Sequence, residues 1–223
     1  MMYKNEIPMR ERVIKEILDK KIIAIVRGVN EDQAMEIARA LYEGGITLIE
    51  ITFNQNKPET FVNTANAIRA ISREFKDRMY VGAGTVTSKE LLYTAMNAGA
   101  QYIISPDTDE EVIKLTRQMG LVSLPGAYTP TEAKKAHAAG ADFVKLFPCV
   151  GDAPAYLKTI SVPLNNIRFL AVGGVNANNA SDFLKAGAVG VGVGSCLANK
   201  QWAEAGEYWR ITEEAKKFIA NIG

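Results

Sequence analysis

Short apolar stretches alternate along this chain with longer stretches in which apolar residues recur at helical spacing. The apolar stretches are rich in Val and Ile and are bounded by Gly or Pro, which is typical of buried strands. We predict eight strands, at residues 22–27, 46–52, 80–85, 102–105, 121–124, 142–148, 167–172 and 189–193, with Pro148 ending the sixth. The stretches between them predict helices.

The helices carry clear start and stop signals. A leading helix over residues 9–20 presents an apolar stripe that we expect to cover one end of the fold. Asn30, Thr129 and a Thr87–Glu90 pair predict helix N-termini with capping boxes. Helices then end at a glycine that an apolar strand follows, and this occurs at Gly45, Gly99, Gly140 and Gly187.

Regular alternation of strands and helices predicts right-handed crossovers and a parallel sheet. Eight such units match the (β/α)8 TIM barrel, whose typical size of about 250 residues is close to this chain of 223 residues. An open doubly wound sheet is the alternative, but no GxGxxG motif follows the first strand. The predicted fold class is therefore α/β, with residues 1–223 as a single barrel domain and residues 1–20 as its leading helix.

Composition narrows the function without naming it. The chain is 48% hydrophobic and 23% charged, with a net charge of +1, which favours a folded domain and argues against nucleic-acid or membrane partners. The N-terminal stretch from Met1 to Pro8 lacks an apolar signal core, so we expect a cytoplasmic protein. One histidine and two distant cysteines argue against a metal site.

A lysine stands in the middle of the sixth predicted strand. Strand alternation turns Lys145 into the barrel, and it turns Glu50 of the second strand the same way. A buried amine loses solvation, its pKa falls, and the neutral form attacks carbonyl carbon. Lys145 as nucleophile with Glu50 as general acid/base suits class I aldolase chemistry on a 2-keto acid, with an imine on Lys145 and no cofactor.

Several alternatives to that reading stay open at this point. Lys145 as an edge-strand residue with its head in water, or a purely structural Lys145–Glu50 pair, would explain the same pattern. A phosphate-binding isomerase or epimerase with Glu50 as its base, and a non-catalytic sugar-acid binder, are further possibilities.

Glycines and polar residues gather where the predicted strands end, which is the active-site face of such barrels. Gly173-Gly174 follows the seventh strand and Gly194-Ser195 follows the eighth, where this fold usually binds phosphate. Arg27 and Thr85 end the first and third strands. Gly82 and Gly84 in the third strand either let substrate approach or ease barrel packing.

These segments, taken in order, carry a family resemblance. The matching segments are Gly44 to Thr52, Val81 to Val86, Ile104-Ser105-Pro106, Pro125-Gly126, Phe143 to Pro148, Gly173-Gly174-Val175 and Gly194-Ser195. Together they resemble the 2-keto-3-deoxy-6-phosphogluconate (KDPG) and 4-hydroxy-2-oxoglutarate (KHG) aldolases. The resemblance covers most of the chain.

The resemblance implies a metal-independent homotrimer of (β/α)8 barrels that cleaves KDPG to pyruvate and D-glyceraldehyde 3-phosphate, or KHG to pyruvate and glyoxylate. It implies that Lys145 forms the Schiff base and that Glu50 is the general acid/base. It also implies that Thr85 holds the substrate carboxylate, that Pro106 and Phe147 line the pyruvate pocket, and that Gly173, Gly174, Gly194 and Ser195 surround the phosphate.

Two departures from the family pattern bear on the substrate. Many members carry Arg four residues after the catalytic Glu, where this chain has Asn54, and we assign the carboxylate to Arg27 instead. Many members read Pro-Thr before the paired glycines, where this chain has Ala171-Val172. These changes leave the aldehyde half of the substrate open, including the 6-phosphogalactonate epimer.

Overall fold

A parallel barrel surrounded by helices forms the core of the computed structural model, which describes residues 7–222. The strands are β1 (Ile22–Val26), β2 (Leu48–Thr52), β3 (Tyr80–Gly84), β4 (Tyr102–Ile104), β5 (Val122–Leu124), β6 (Gly126–Ala127), β7 (Val144–Leu146), β8 (Phe169–Val172) and β9 (Gly190–Val193). The helices are α1 (Met9–Lys20), α2 (Glu31–Glu43), α3 (Phe61–Phe75), α4 (Lys89–Ala98), α5 (Glu110–Gln118), α6 (Pro130–Ala139), α7 (Ala153–Ser161), α8 (Ala180–Lys185), α9 (Lys200–Glu204) and α10 (Tyr208–Ile222). Single 3₁₀ turns at Pro58–Thr60 and Lys76–Arg78 flank α3.

The strands follow one another around the barrel in the order β5-β4-β3-β2-β1-β9-β8-β7-β6, and all pairs are parallel. The fifth predicted strand corresponds to β5, and a further short strand that the sequence did not indicate, β6, follows Pro125, which has no N–H to donate. Its carbonyl instead accepts from the Lys145 N–H at 2.9 Å, next to the point where the barrel closes. The predicted (β/α)8 barrel with a leading helix is confirmed.

Helix starts follow local side-chain chemistry, with two corrections. Asn30 and Thr129 begin α2 and α6 with full capping boxes, as predicted. The predicted Thr87–Glu90 box is wrong, because the Ser88 side chain caps α4 by accepting from the Leu91 N–H. For the helix after the seventh predicted strand the sequence indicates Asn176 or Asn178 as the N-cap. The N-cap of α8 is instead Asn179, which makes no side-chain cap bond.

Alternate residues of each strand face two different apolar layers. Ile49 and Ile51 of β2 pack in the layer between the strands and the outer helices, whereas Leu48 belongs to the layer inside the barrel. Val144 and Phe143 divide in the same way around β7. The register predicted for the two strands is therefore confirmed, and it directs Glu50 and Lys145 inward.

Helix α1 closes the N-terminal end of the barrel. Val13 and Ile17 are fully buried against the interior layer, with Leu48, Phe143 and Leu170 among their neighbours in it. Burying an aliphatic side chain of this size contributes about 1.5–3 kcal/mol. With one end filled by apolar side chains, the polar interior residues are left to the C-terminal end.

Three predictions concern membranes, the N-terminal stretch and the number of domains. Within residues 7–222, no helix combines the length and the apolar character that crossing a membrane requires. Residues 1–6, which hold most of the stretch that lacks a signal core, lie outside the described residues. The single-domain assignment over residues 1–223 stays a prediction.

Candidate active site

One cavity of about 360 Å³ opens at the C-terminal ends of the strands. All the residues that the sequence put forward for the site line it: Arg27, Glu50, Thr85, Pro106, Lys145, Phe147, Gly173, Gly174, Gly194 and Ser195. They come from segments spread over most of the chain, and the closed barrel brings their strand ends to one rim. Their common location is thus observed, while their individual roles are not.

Lys145 is only 7% exposed, so the strand lysine does not extend into water. Its ammonium nitrogen lies 4.6 Å from the centroid of the Phe147 ring. Burial lowers the pKa of Lys145 from its ordinary value; the Glu50 carboxylate opposes this shift and Arg27 adds to it. A lowered pKa increases the fraction of neutral amine, which is the nucleophilic form.

Glu50 is 1% exposed and shares the interior with Lys145. Burial raises the pKa of Glu50, and the positive charges of Lys145 and Arg27 oppose the shift. Its Oε2 atom is buried and accepts no hydrogen bond from the described residues. A buried polar atom without a partner is costly, and such atoms in native proteins often mark a catalytic role.

The glycines of β3 make room for this carboxylate. A Cβ on Gly84 would lie 1.6 Å from Glu50 Oε1, and a Cβ on Gly82 would lie 2.1 Å from the Tyr102 ring. The Tyr102 hydroxyl donates to the Ile49 carbonyl at 2.7 Å, which holds that ring across β3. Of the two sequence interpretations of these glycines, the structure supports packing: they accommodate neighbouring side chains inside the barrel.

Arg27 reaches across the mouth of the cavity toward Thr85. Its Nη2 atom lies 3.4 Å from Thr85 Oγ1, and the Gln55 side-chain amide donates to the Thr85 carbonyl at 2.9 Å. Asn54, at the position where many family members carry arginine, lines a different cavity together with Lys57 and Lys200. The guanidinium in the main cavity is therefore that of Arg27.

Glycine loops form the opposite end of the cavity. Gly173 and Gly174 have φ values of 94° and 69°, which side chains rarely tolerate, and a Cβ on Gly174 would lie 2.7 Å from the Cys149 carbonyl oxygen. A Cβ on Gly194 would meet nothing within 4 Å, so the loop after β9 faces open space. Ser195 is exposed beside it. Glycine backbone and the Ser195 hydroxyl thus form this end, with the side chains of Val175 and Cys196 beside them.

Val172 faces the cavity and Ala171 does not. Val172 lines the cavity, whereas Ala171 packs in the layer under the outer helices. The sequence analysis did not assign one member of the pair to the cavity. The register of β8 in the structure does, because successive side chains of a strand point to opposite faces.

Sequence reasoning missed five residues at this site. Four of them line the cavity: Ile25, Val175, Gly192 and Cys196. Ile25 lies two residues before Arg27 on the same strand path, so alternation could have indicated it. Gln55, which bonds the Thr85 carbonyl, had no signal in the sequence, because it is an exposed amide in a loop.

No group of three or more His, Cys, Asp or Glu side chains in residues 7–222 is arranged to hold a metal ion. Cys149 and Cys196 are both free thiols, and burial raises the pKa of the Cys149 thiol to about 11. A thiol with so high a pKa is a poor nucleophile at neutral pH. Cys149 does not line the cavity, whereas Cys196 does and is exposed, so the buried reactive groups of the cavity are the Lys145 amine and the Glu50 carboxylate.

Fold and site together define a (β/α)8-barrel enzyme with a buried amine and a buried carboxylate at its catalytic face. The family model described as KDPG and KHG aldolase matches residues 13–214, which is most of the chain. The protein belongs to the KDPG and KHG aldolase family and is therefore an aldolase, a carbon–carbon lyase. The predicted family and enzyme class are confirmed.

This chain is similar over most of its length to known aldolases. It is 35% identical over 177 residues to the 2-dehydro-3-deoxy-6-phosphogalactonate aldolase of Escherichia coli K12, covering 79% of this chain and 83% of the relative. A native KDPGal structure has a TM-score of 0.79 and 31% identity, covering 99% of this chain and 97% of that one. KDPG aldolase from Legionella pneumophila, with pyruvate captured as a covalent carbinolamine, has a TM-score of 0.80 and 25% identity, covering 91% and 96%.

Proposed function

We propose that this protein is a class I aldolase that cleaves KDPG to pyruvate and D-glyceraldehyde 3-phosphate through an imine on Lys145. The observation that carries the proposal is the buried pair at the cavity floor. Lys145 has a lowered pKa, and Glu50 has a raised pKa with one unpartnered oxygen in the same cavity. This is the pairing that a neutral nucleophile and a proton carrier require.

Imine formation uses both side chains. The neutral Lys145 amine attacks the C2 carbonyl carbon of the substrate, and the carbonyl oxygen takes a proton to give a carbinolamine. Glu50 in its acid form protonates the carbinolamine hydroxyl, which leaves as water and gives the iminium ion. The raised pKa of Glu50 supports this role, because it increases the fraction of carboxylic acid available near neutral pH.

Carbon–carbon cleavage then uses Glu50 in the opposite direction. The Glu50 carboxylate removes the proton of the C4 hydroxyl while the C3–C4 bond breaks, and the bonding electrons move into the iminium to give an enamine. D-Glyceraldehyde 3-phosphate leaves as the aldehyde. The enamine takes a proton at C3, and water releases pyruvate from Lys145. No redox change occurs, so the sequence of steps requires no external oxidant or reductant.

The substrate carboxylate is assigned to Arg27 and Thr85. The Arg27 guanidinium supplies charge and the Thr85 hydroxyl a neutral hydrogen bond, and the 3.4 Å between them brings both donors to one side of the cavity. Pro106 and Phe147 line the same cavity and present apolar surface to the methyl carbon of pyruvate. The Phe147 ring lies beside the Lys145 nitrogen and shields the imine from water.

The phosphate is assigned to the loops after β8 and β9. Gly173, Gly174, Gly194 and Ser195 line the far end of the cavity. Glycine lets backbone N–H groups approach an anion closely, and this part of the barrel is the usual phosphate site of the fold. The open space around Gly194 supports the assignment.

The 6-phosphogalactonate epimer is the second candidate substrate, and Val172 is the observation that favours it. Val172 offers no hydroxyl to the cavity where many family members have threonine, and the E. coli relative is a phosphogalactonate aldolase. Both epimers give the same products, so a comparison of their cleavage rates measures only how the enzyme recognises the configuration at C4. Cleavage of KHG to glyoxylate is a smaller variant of the same reaction.

Borohydride reduction in the presence of pyruvate tests the proposal. The expected result is a reduced pyruvate adduct on Lys145, located by peptide mass spectrometry. An enzyme that turns over a sugar phosphate without any adduct would instead be the isomerase or epimerase, and an inert protein would be the binder. A panel of KDPG, its galactonate epimer and KHG then ranks the substrates by kcat/KM.

Assembly and location remain predictions. The homotrimer that the family resemblance implies is checked by light scattering of the purified protein, with an expected mass of three times 24.3 kDa. A cytoplasmic location is supported by the two free cysteines, since oxidising compartments favour disulfides.

A further inference from the structure

Thr85 has an unusual backbone conformation at the mouth of the cavity. Three non-glycine residues in the described part of the chain have positive φ: Lys21, Lys76 and Thr85. Lys21 is a left-handed C-cap of α1, a conformation that is common at helix ends, and Lys76 is the residue at which α3 ends. Thr85, with φ of 57°, is β-branched and stands in a loop. A β-branched residue in this region is strained, and strain of this kind persists only where neighbours enforce it.

The residues on either side of Thr85 are held by main-chain bonds. The Phe53 N–H donates to the Gly84 carbonyl at 2.9 Å, and the Val86 N–H donates to the Ile104 carbonyl at 3.2 Å. The Thr85 carbonyl has a side chain as its partner instead, since it accepts from the Gln55 amide at 2.9 Å. The peptide plane between residues 85 and 86 is therefore held at both ends, by the Ile104 carbonyl at its N–H and by the Gln55 amide at its carbonyl.

Gln55 is presented by a short, internally bonded turn after β2. The Lys57 N–H donates to the Asn54 carbonyl at 2.9 Å, and the Asn56 N–H donates to the Asn54 side chain at 3.1 Å. Buried Phe53 anchors the start of this turn in the layer under the helices. The turn restricts the backbone on both sides of Gln55, which favours one geometry of its bond to the Thr85 carbonyl.

We propose that Gln55 is a positioning residue for the carboxylate-binding site. Its amide holds the Thr85 carbonyl, keeps Thr85 in the left-handed region, and so directs the Thr85 hydroxyl toward Arg27 and the cavity. Without this bond, only the longer contact of the Val86 N–H with the Ile104 carbonyl holds the peptide plane after Thr85, and Thr85 relaxes toward the extended conformation that threonine prefers. The hydroxyl then moves away from the guanidinium.

The inference rests on the proposed function, because it concerns the site that would bind the carboxylate of the 2-keto acid. In this proposal the loop after β2 helps to form the carboxylate-binding site although it supplies no charged side chain to it. Asn54 faces another cavity, so this loop contributes to the site through Gln55 and its hold on Thr85.

The test compares Gln55→Ala with the unmodified protein in borohydride trapping of pyruvate on Lys145. We expect the pyruvate concentration for half-maximal trapping to rise about tenfold, the equivalent of one lost hydrogen bond at the site, while the maximal rate stays within about twofold. This split separates binding from chemistry. Asn56→Ala is the matched control, because Asn56 contributes its backbone N–H to the same turn, and we expect no change in either quantity.

A double-mutant cycle with Thr85→Gly identifies the route of the effect. Glycine adopts positive φ without strain and carries no hydroxyl, so in this background Gln55→Ala should change half-saturation by less than about twofold. If Gln55→Ala still has its full effect there, or has none in the unmodified protein, Gln55 is not a positioning residue for Thr85. If the unmodified protein traps no pyruvate at all, the proposed function fails first, and the two failures are distinguished.

Discussion

The two ends of the cavity are built from different kinds of groups. The end assigned to pyruvate uses charged side chains on or next to strands, namely Arg27, Glu50 and Lys145. The end assigned to phosphate uses glycine backbone and one serine in the loops after β8 and β9. Strand side chains inside a barrel have little freedom, whereas loops change shape without disturbing the core. The groups proposed for the chemical step therefore lie on or next to the rigid strands, and the groups proposed for phosphate recognition lie in loops.

Replacing the nucleophile should have the largest effect. Lys145→Arg should lower the rate of aldol cleavage by about 10⁴-fold or more, because a guanidinium stays protonated and cannot form the imine. Steady-state cleavage assays and pyruvate trapping measure it. Lys145→Met removes the charge in case the larger cation disturbs folding, and Lys158→Arg on the exposed face of α7 is the matched control. Retained cleavage in both Lys145 variants would exclude covalent catalysis.

Removing the proton carrier should have the next largest effect. Glu50→Gln keeps the shape of the side chain but cannot exchange the proton, so kcat should fall by about 10²–10³-fold. A pyruvate adduct on Lys145 should still form, since attack by the amine itself is retained. Full turnover in this variant would remove Glu50 from the mechanism and leave its buried position as packing.

The same variant should change the pH dependence of trapping in a defined direction. Trapping accelerates as pH rises through the pKa of Lys145, because only the neutral amine attacks. The Glu50 carboxylate raises that pKa and Arg27 lowers it. The rise should therefore move to lower pH in Glu50→Gln and to higher pH in Arg27→Ala. Shifts in the same direction would show that the two side chains do not act on Lys145 by charge.

Gly84→Ala should displace the Glu50 side chain although it removes no reactive group. The three atoms nearest to a Cβ on Gly84 all belong to the Glu50 side chain. Gly84→Ala should displace the carboxylate and lower kcat by about 10²-fold, the scale expected for a small misplacement. In a Glu50→Ala background the methyl group has room, so Gly84→Ala should cost no further activity. Independent, multiplying effects in this cycle would mean that Gly84 acts through the strand itself.

The smallest effect is expected from a substitution of Val172 in the cavity wall. Val172→Thr adds a hydroxyl to the cavity wall with little change of volume. It should change the ratio of kcat/KM for KDPG and its galactonate epimer by up to about tenfold in favour of the epimer whose hydroxyl it meets. Pyruvate trapping should be unaffected. A weakened trapping reaction with an unchanged substrate ratio would move Val172 to the pyruvate end.

The sequence predicted most of the fold because its signals are local and periodic. Strand alternation in β2 and β7 was enough to direct Glu50 and Lys145 inward, and the interior layer behind them confirms that register. Capping boxes at Asn30 and Thr129 were predicted correctly for the same reason, since they involve residues three apart. At Thr87–Glu90 the sequence offered two adjacent hydroxyl residues, and the backbone geometry that selects Ser88 is not encoded in residue type alone.

The barrel, its register and the residues that gather at its catalytic face were predictable from the sequence, because periodicity and the order of elements restrict the topology. The contacts among those residues were not predictable, because they depend on packing between distant segments. Gly84 leaves space for Glu50, Val172 rather than Ala171 faces the cavity, and Gln55 holds Thr85 in a strained conformation. Each of these depends on a distance between segments that are separate in the chain, and close packing sets such distances after the strands have paired.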